Sequence, residues 1–83
     1  MMYYVYILKS ENNPSKHYVG YTTDLDKRFK KHNSNQTVFS KRYAPWRIET
    51  FIGFHNKGLA LNFERYLKKG SGHAFLKKRL ISI

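Results

Sequence analysis

The segment Tyr3–Leu8, reading Tyr-Tyr-Val-Tyr-Ile-Leu, constrains the fold more than any other stretch of the chain. It is dense in β-branched and aromatic residues and too short for a stable helix, so it predicts a buried strand. The loop Ser10–Lys16, with Pro14 barring regular continuation, separates it from a second short strand, His17–Tyr21. Two strands joined in this way predict an antiparallel hairpin. Side chains alternate faces, so Tyr4, Tyr6 and Leu8 share one side and Tyr3, Val5 and Ile7 the other. A register whose paired residue numbers sum to an even value puts Tyr6 and Tyr18 on one face and gathers Val5, Ile7 and Val19 on the other. Burial of one coherent apolar face favours that register, because a one-residue slip turns the whole set over.

The remaining chain reads as helix, strand, helix, helix. Thr23 suits an N-cap, with Asp26 three residues on resembling a capping box. Leu25, Phe29 and His32 then recur at helical spacing until Asn33-Ser34-Asn35 ends the helix. The stretch to Pro45 is polar and basic and predicts an exposed loop. Trp46–Phe54 alternates as a third strand, with Trp46, Ile48, Thr50, Ile52 and Phe54 on one face. Asn56 caps a helix predicted over 57–69, whose stripe is Leu59, Ala60, Phe63 and Leu67, and Gly70 stops it. A last helix over 72–80 is expected to bury Phe75, Leu76 and Leu80 and to expose Lys77, Lys78 and Arg79. The order β-β-α-β-α-α is that of one compact α+β domain spanning 1–83.

Charge narrows the partners. Sixteen Lys and Arg against five Asp and Glu leave a net charge of +11, which points to a polyanion and first to nucleic acid. The chain has no cysteine, so disulfides, zinc knuckles and thiol nucleophiles are excluded. No apolar run approaches the roughly 20 residues of a membrane-spanning helix, and the first residues lack the basic flank of a secretory signal. A soluble, cytoplasmic protein with no membrane partner is the expectation.

Few residues can do chemistry. Glu64 lies inside the second helix at the flank of its apolar stripe, where it can pair with Lys68 at i,i+4 or hold a hard cation such as Mg²⁺. Arg28 and His32 are four apart on one helix. Arg28 can lay its stem along Phe29 or grip a phosphate, and His32 can close the helix or accept a proton. Tyr6 and Tyr18 can be packing residues, or phenols whose ionisation nearby cations favour. Gly20, so near Tyr18, suggests a close backbone approach. Tyr43 and Trp46 can stack a base or pack. His17, His55 and His73 have no metal-like spacing, and there is no phosphate-binding glycine loop.

These residues, in this order, resemble the GIY-YIG nuclease domain, in particular its small stand-alone bacterial members. Tyr4-Val5-Tyr6 is similar to the first signature, and Tyr18-Val19-Gly20 to the second. Tyr21–His32 resembles the helix that follows, and the segment centred on Glu64 the helix that supplies a metal carboxylate. Tyr4 stands where the family name has Gly, and no Asn follows Asn62 near the domain's end. The resemblance implies a three-stranded antiparallel sheet flanked by helices and Mg²⁺- or Mn²⁺-dependent hydrolysis of DNA phosphodiesters, structure-selective or weakly specific, as in DNA repair. It implies Glu64 as the metal ligand, Tyr18 as general base, Arg28 as the phosphate clamp, and Tyr6 and His32 in support. Lys27, Lys31, Lys41, Arg42, Lys68, Lys77 and Lys78 are the candidate nucleic-acid contacts, with targeting left to a protein partner. Two alternatives stay open: a basic nucleic-acid-binding module without efficient chemistry, and an interaction domain within a larger complex.

Overall fold

The computed structural model describes residues 1–34 and 42–82. The first run forms β1 (Tyr3–Ser10), which extends past its apolar stretch because Lys9 still pairs on both sides and Ser10 with Trp46. Then follow β2 (His17–Thr22), α1 (Leu25–Asn33), β3 (Trp46–Phe54), α2 (Lys57–Leu67) and α3 (Gly70–Phe75), the last continuing as a π-helical turn, Leu76–Leu80. The strands form one antiparallel sheet in the order β2-β1-β3, the α+β architecture expected.

The hairpin takes the even register. Tyr6 lies opposite Gly20, Leu8 opposite Tyr18 and Ile7 opposite Val19. Because β1 is the middle strand, its two faces serve two cores. Val5, Ile7 and Val19 pack with Ala60 and Leu67 of α2 and with Leu76 and Ile81. Tyr6, Leu8 and Trp46 pack on the other side with Leu25 and Phe29 of α1. Burial on both faces explains why β1 reads as a continuous apolar run and not as strict alternation.

The even alternation read for β3 breaks at Glu49. Ile7 lies opposite Thr50 but Leu8 opposite Ile48, so a bulge puts an extra residue into β3. Trp46 and Ile48 consequently join the Tyr6 face, while Phe54 joins the Val5 face. The bulge also aims the Glu49 carboxylate at the chain's last described residues. It accepts from the Ser82 amide at 2.6 Å and pairs with Arg47 at 3.0 Å. Thr50 donates to the Leu80 carbonyl at 2.5 Å and Lys9 to that of Ser82, so the segment after the π turn is strapped along the sheet.

Other expectations change in detail. The N-cap of α1 is Asp24 and not Thr23: its carboxylate accepts from the Lys27 amide at 3.0 Å, while Thr22 accepts from Asp24 N. Asn56 caps α2 as expected, through the Leu59 amide, but α2 ends at Leu67. Leu59 is 59% exposed and Phe75 39%, so neither is core, since the sheet reaches only the Ala60–Leu67 side of α2 and Leu76 fills the space beyond. Gly70 adopts φ +61°, the left-handed turn that breaks α2, and α3 restarts there rather than at Gly72. Tyr43 and Ala44 are packed against the Tyr6 core and not part of an exposed loop; the hairpin loop holds them, Ser10 Oγ donating to the Tyr43 carbonyl at 2.6 Å. Lys41 lies outside the described residues. Among the described residues no helix is long and apolar enough to cross a membrane.

Candidate active site

The Tyr6 face of the sheet carries Tyr6 and Tyr18 under α1, while Glu64 comes from α2, which packs on the other face. Tyr6 is 1% exposed, and its ring reaches that depth because β2 offers a glycine beside it. A β-carbon on Gly20 would overlap the Tyr6 hydroxyl and the ring carbon bearing it, and would come within 2.9 Å of the Tyr18 ring. The close approach that Gly20 suggested is thus an approach of Tyr6. The Tyr6 and Tyr18 rings lie 6.2 Å apart.

Helix α1 brings Arg28 and His32 over these phenols. A hydrogen bond of 3.2 Å joins the Tyr6 hydroxyl to His32 Nε2, and the His32 ring centre is 4.7 Å from that of Tyr18. Burial pushes the Tyr6 phenol up to about 12, and the neighbouring Tyr18 adds to this; the positive charge of Arg28 opposes it without prevailing. His32 is pushed below its ordinary value, by burial first and then by the cations Arg28 and Lys31. At neutral pH, then, Tyr6 keeps its proton and His32 is uncharged. The protonated phenol can therefore donate to His32 Nε2.

Glu64 approaches from the opposite side of the sheet edge, on α2. Its side chain is only 18% exposed. The i,i+4 pair is formed: Lys68 Nζ donates to Glu64 Oε2 at 3.0 Å. Such helix pairs contribute about 0.2–0.5 kcal/mol, too little to bar a divalent cation from the carboxylate. Lys68 and Tyr18 line one shallow cleft of about 200 Å³ together with His17, Val19, Leu67 and His73. Among the described residues no three His, Cys, Asp or Glu side chains gather into a metal cluster. A cation here would rest on Glu64, with water and substrate oxygens completing its shell. That single hard oxygen ligand suits Mg²⁺ and not zinc.

The cationic candidates flank this cluster on two sides. Lys27 and Lys31 line a second cleft of about 420 Å³ with Arg28, Thr22, Thr23 and Asp24. Lys68 borders the Tyr18 cleft, and Lys77 acts on His17 beside it. Lys78 is exposed on the π turn, and Arg42 lies over the Tyr43 ring at 5.6 Å. Trp46 is 2% exposed, with its ring 6.4 Å from Tyr43, so it packs and stacks no base. Withdrawing it would forfeit on the order of 3 kcal/mol of burial.

Two features escaped sequence reading. Asn33, read as a helix terminator, clamps the backbone of Trp46: its Oδ1 accepts from Trp46 N at 2.7 Å and its Nδ2 donates to Trp46 O at 3.1 Å. This ties the end of α1, and with it His32, to the start of β3. His17 and His73 meet edge to face at 5.7 Å although 56 residues of sequence hide the pairing. Burial first, then His73 and Lys77, lower the His17 imidazole.

The chain is similar to known proteins in sequence and in fold. The profile of the GIY-YIG catalytic domain matches residues 2–78. The UPF0213 protein of Halalkalibacterium halodurans is 34% identical over 84 residues, covering all of this chain and 85% of that protein. The solution NMR structure of the UPF0213 protein from Bacillus halodurans superposes with a TM-score of 0.57 at 30% identity, over 96% of this chain and 87% of that one. The structure-specific endonuclease subunit SLX1 homolog of Giardia intestinalis is 34% identical over 65 residues, which is 74% of this chain but 18% of that protein.

Proposed function

The chain belongs to the GIY-YIG catalytic-domain family, and on that footing we propose that it is a Mg²⁺-dependent endonuclease domain acting on DNA. The observation that carries this reading is the cluster of Tyr6 from β1, Tyr18 from β2 and His32 from α1, which touch one another although they are scattered through the sequence. Arg28 lies one turn before His32 on α1, and Glu64 on α2 is paired with Lys68, which borders the Tyr18 cleft. Structural needs do not account for such a group: a buried phenol and a half-buried imidazole, arginine and carboxylate are an expensive way to fill a core. The SLX1 homology adds an endonuclease among the relatives.

In this proposal Glu64 would hold the cation, which when bound supplies positive charge to the scissile phosphate. Arg28 grips a phosphate oxygen and stabilises the charge that grows on it during attack. Tyr18 acts as general base toward the attacking water while the phosphorus–oxygen bond to the leaving sugar oxygen breaks. His32, held uncharged, accepts from Tyr6 and keeps its ring against Tyr18, so the base points one way. Lys27, Lys31, Lys68 and Lys77 neutralise phosphates to either side. Targeting by a partner protein remains part of the proposal.

Supercoiled and branched DNA incubated with Mg²⁺ and the wild-type chain should be nicked, and Glu64→Gln purified in parallel should lose at least about 100-fold in rate, the scale of removing one charge-stabilising group. Full cleavage by Glu64→Gln would sink the reading. Absent cleavage with retained binding would leave the basic nucleic-acid-binding module instead.

A further inference from the structure

The sheet face that carries Tyr6 is not covered along its whole length. Helix α1 closes the end around Leu8, Trp46 and Ile48. At the other end, Phe51 is 53% exposed in the middle of β3, beside the buried Tyr6 and the half-buried Tyr4, and Gly53 beyond it on that face is exposed as well. Phe51 is the direct cross-strand partner of Tyr6, so their β-carbons lie about 5 Å apart on the same face. One row further along, Tyr4 faces Gly53 on β3 and Thr22 on β2.

The two aromatic rings are held in place. The Tyr4 ring lies over Gly53, where a β-carbon would meet it at 3.3 Å, and meets Phe51 edge to face at 6.0 Å. Thr22, the cross-strand partner of Tyr4, also lines the cleft that holds Lys27, Arg28 and Lys31, with the Asp24 carboxylate at its rim. Three cations against one carboxylate make that wall a phosphate track, and the rings beside it an apolar floor.

We propose that Phe51 and Tyr4 form a stacking site for an unpaired nucleobase, one nucleotide away from the phosphate held at Arg28. The site rests on the nuclease reading for the position of that phosphate and adds the class of substrate: nucleic acid with a single-stranded or splayed base at the cut. A base is the occupant that fits, since its flat face matches an exposed aromatic ring while its own backbone supplies the charge that the Lys27–Arg28–Lys31 wall requires. A base inside a duplex keeps both faces stacked and cannot use the ring. A protein partner would have to bring aromatic-complementary and acidic groups at once, and a free nucleotide would lack the flanking phosphates.

The test separates stacking from chemistry. A single-stranded oligonucleotide carrying one 2-aminopurine is titrated with Glu64→Gln protein in EDTA, beside the same sequence as a blunt duplex. The single strand should show stacking-quenched fluorescence. Phe51→Ala in that background should relieve the quenching and weaken single-strand binding about ten-fold and leave duplex binding unchanged, with only a small drop in thermal midpoint because half of the side chain is exposed. Phe51→Trp should restore both the quenching and the affinity. Equal weakening for single strand and duplex, unaltered binding in Phe51→Ala, or no quenching by the Phe51 protein would each overturn the site. Cleavage by the otherwise wild-type chain together with normal Phe51→Ala binding would reject the stacking site and keep the nuclease; quenching without cleavage under Mg²⁺ would do the reverse.

Discussion

A single absent methyl group controls the depth of the central phenol. Gly20→Ala would drive a β-carbon into the Tyr6 hydroxyl, and the flanking backbone cannot yield because β2 is hydrogen-bonded to β1 there. The expected result is a loss of about 1–3 kcal/mol of stability, the range for an overpacked site, with cleavage falling further because the Tyr6–His32 bond is broken. Urea unfolding and a nicking rate on the same preparation check the two halves. The imidazoles carry a pH signature of their own. His17 and His32 are both held below the ordinary value of 6.5, mainly by burial. The unfolded chain therefore binds more protons than the folded one as pH drops below 6.5, so their contribution to stability is whole above 6.5 and is lost as pH falls through the lowered folded values. Denaturation midpoints between pH 5 and 8 should show that decline, and His32→Gln should reduce it. Strand alternation put Tyr6 and Tyr18 on one face and i,i+4 spacing put Arg28 and His32 on one helix side, whereas grouping them with Glu64 as a site came from the resemblance to the nuclease domain. None of these found Phe51 or the His17–His73 contact, since exposure and long-range pairing depend on which elements happen to end where.

Elements are held to one another here by single polar side chains. Asn33 makes both of its hydrogen bonds to one residue, Trp46, and so fixes the end of α1 against the start of β3. Asn33→Ala leaves the Trp46 amide and carbonyl without those partners, and a loss of about 1–3 kcal/mol is expected. If the clamp also positions His32, cleavage should fall more than the fraction of unfolded protein explains; a rate that merely tracks stability would show that α1 is held by Leu25 and Phe29 alone. The element map was largely legible, with β3 bounded as its alternation indicated and α2 begun by its Asn56 cap. The bulge at Glu49 was not, because Trp46–Phe54 alternates without a flaw in sequence and only the pairing with β1 inserts the extra residue. The Thr23 cap was displaced for a similar reason: two adjacent residues could each cap, and Thr22 had already engaged the Asp24 amide.

At the scale of the molecule the +11 charge dominates encounter with any polyanion. Each phosphate neutralised releases counterions, so binding should weaken steeply and linearly on a logarithmic salt axis. Replacing Lys27 and Lys31 together by Gln should lower that slope by about 1.8 on duplex DNA, roughly 0.9 per lost phosphate contact. An unchanged slope would remove the α1 cleft from the binding surface. The position of β1 has a different consequence. It is synthesised before every element it needs: β2 soon after, but β3 and α2 only once 46 and later residues have been made. Its second edge and the face that packs on α2 therefore stay uncovered until β3 and α2 have been made, while α1 can cover part of the Tyr6 face earlier. Until then the central strand presents an unpaired edge and an apolar face, an exposure set by the order of elements along the chain and not by any single motif.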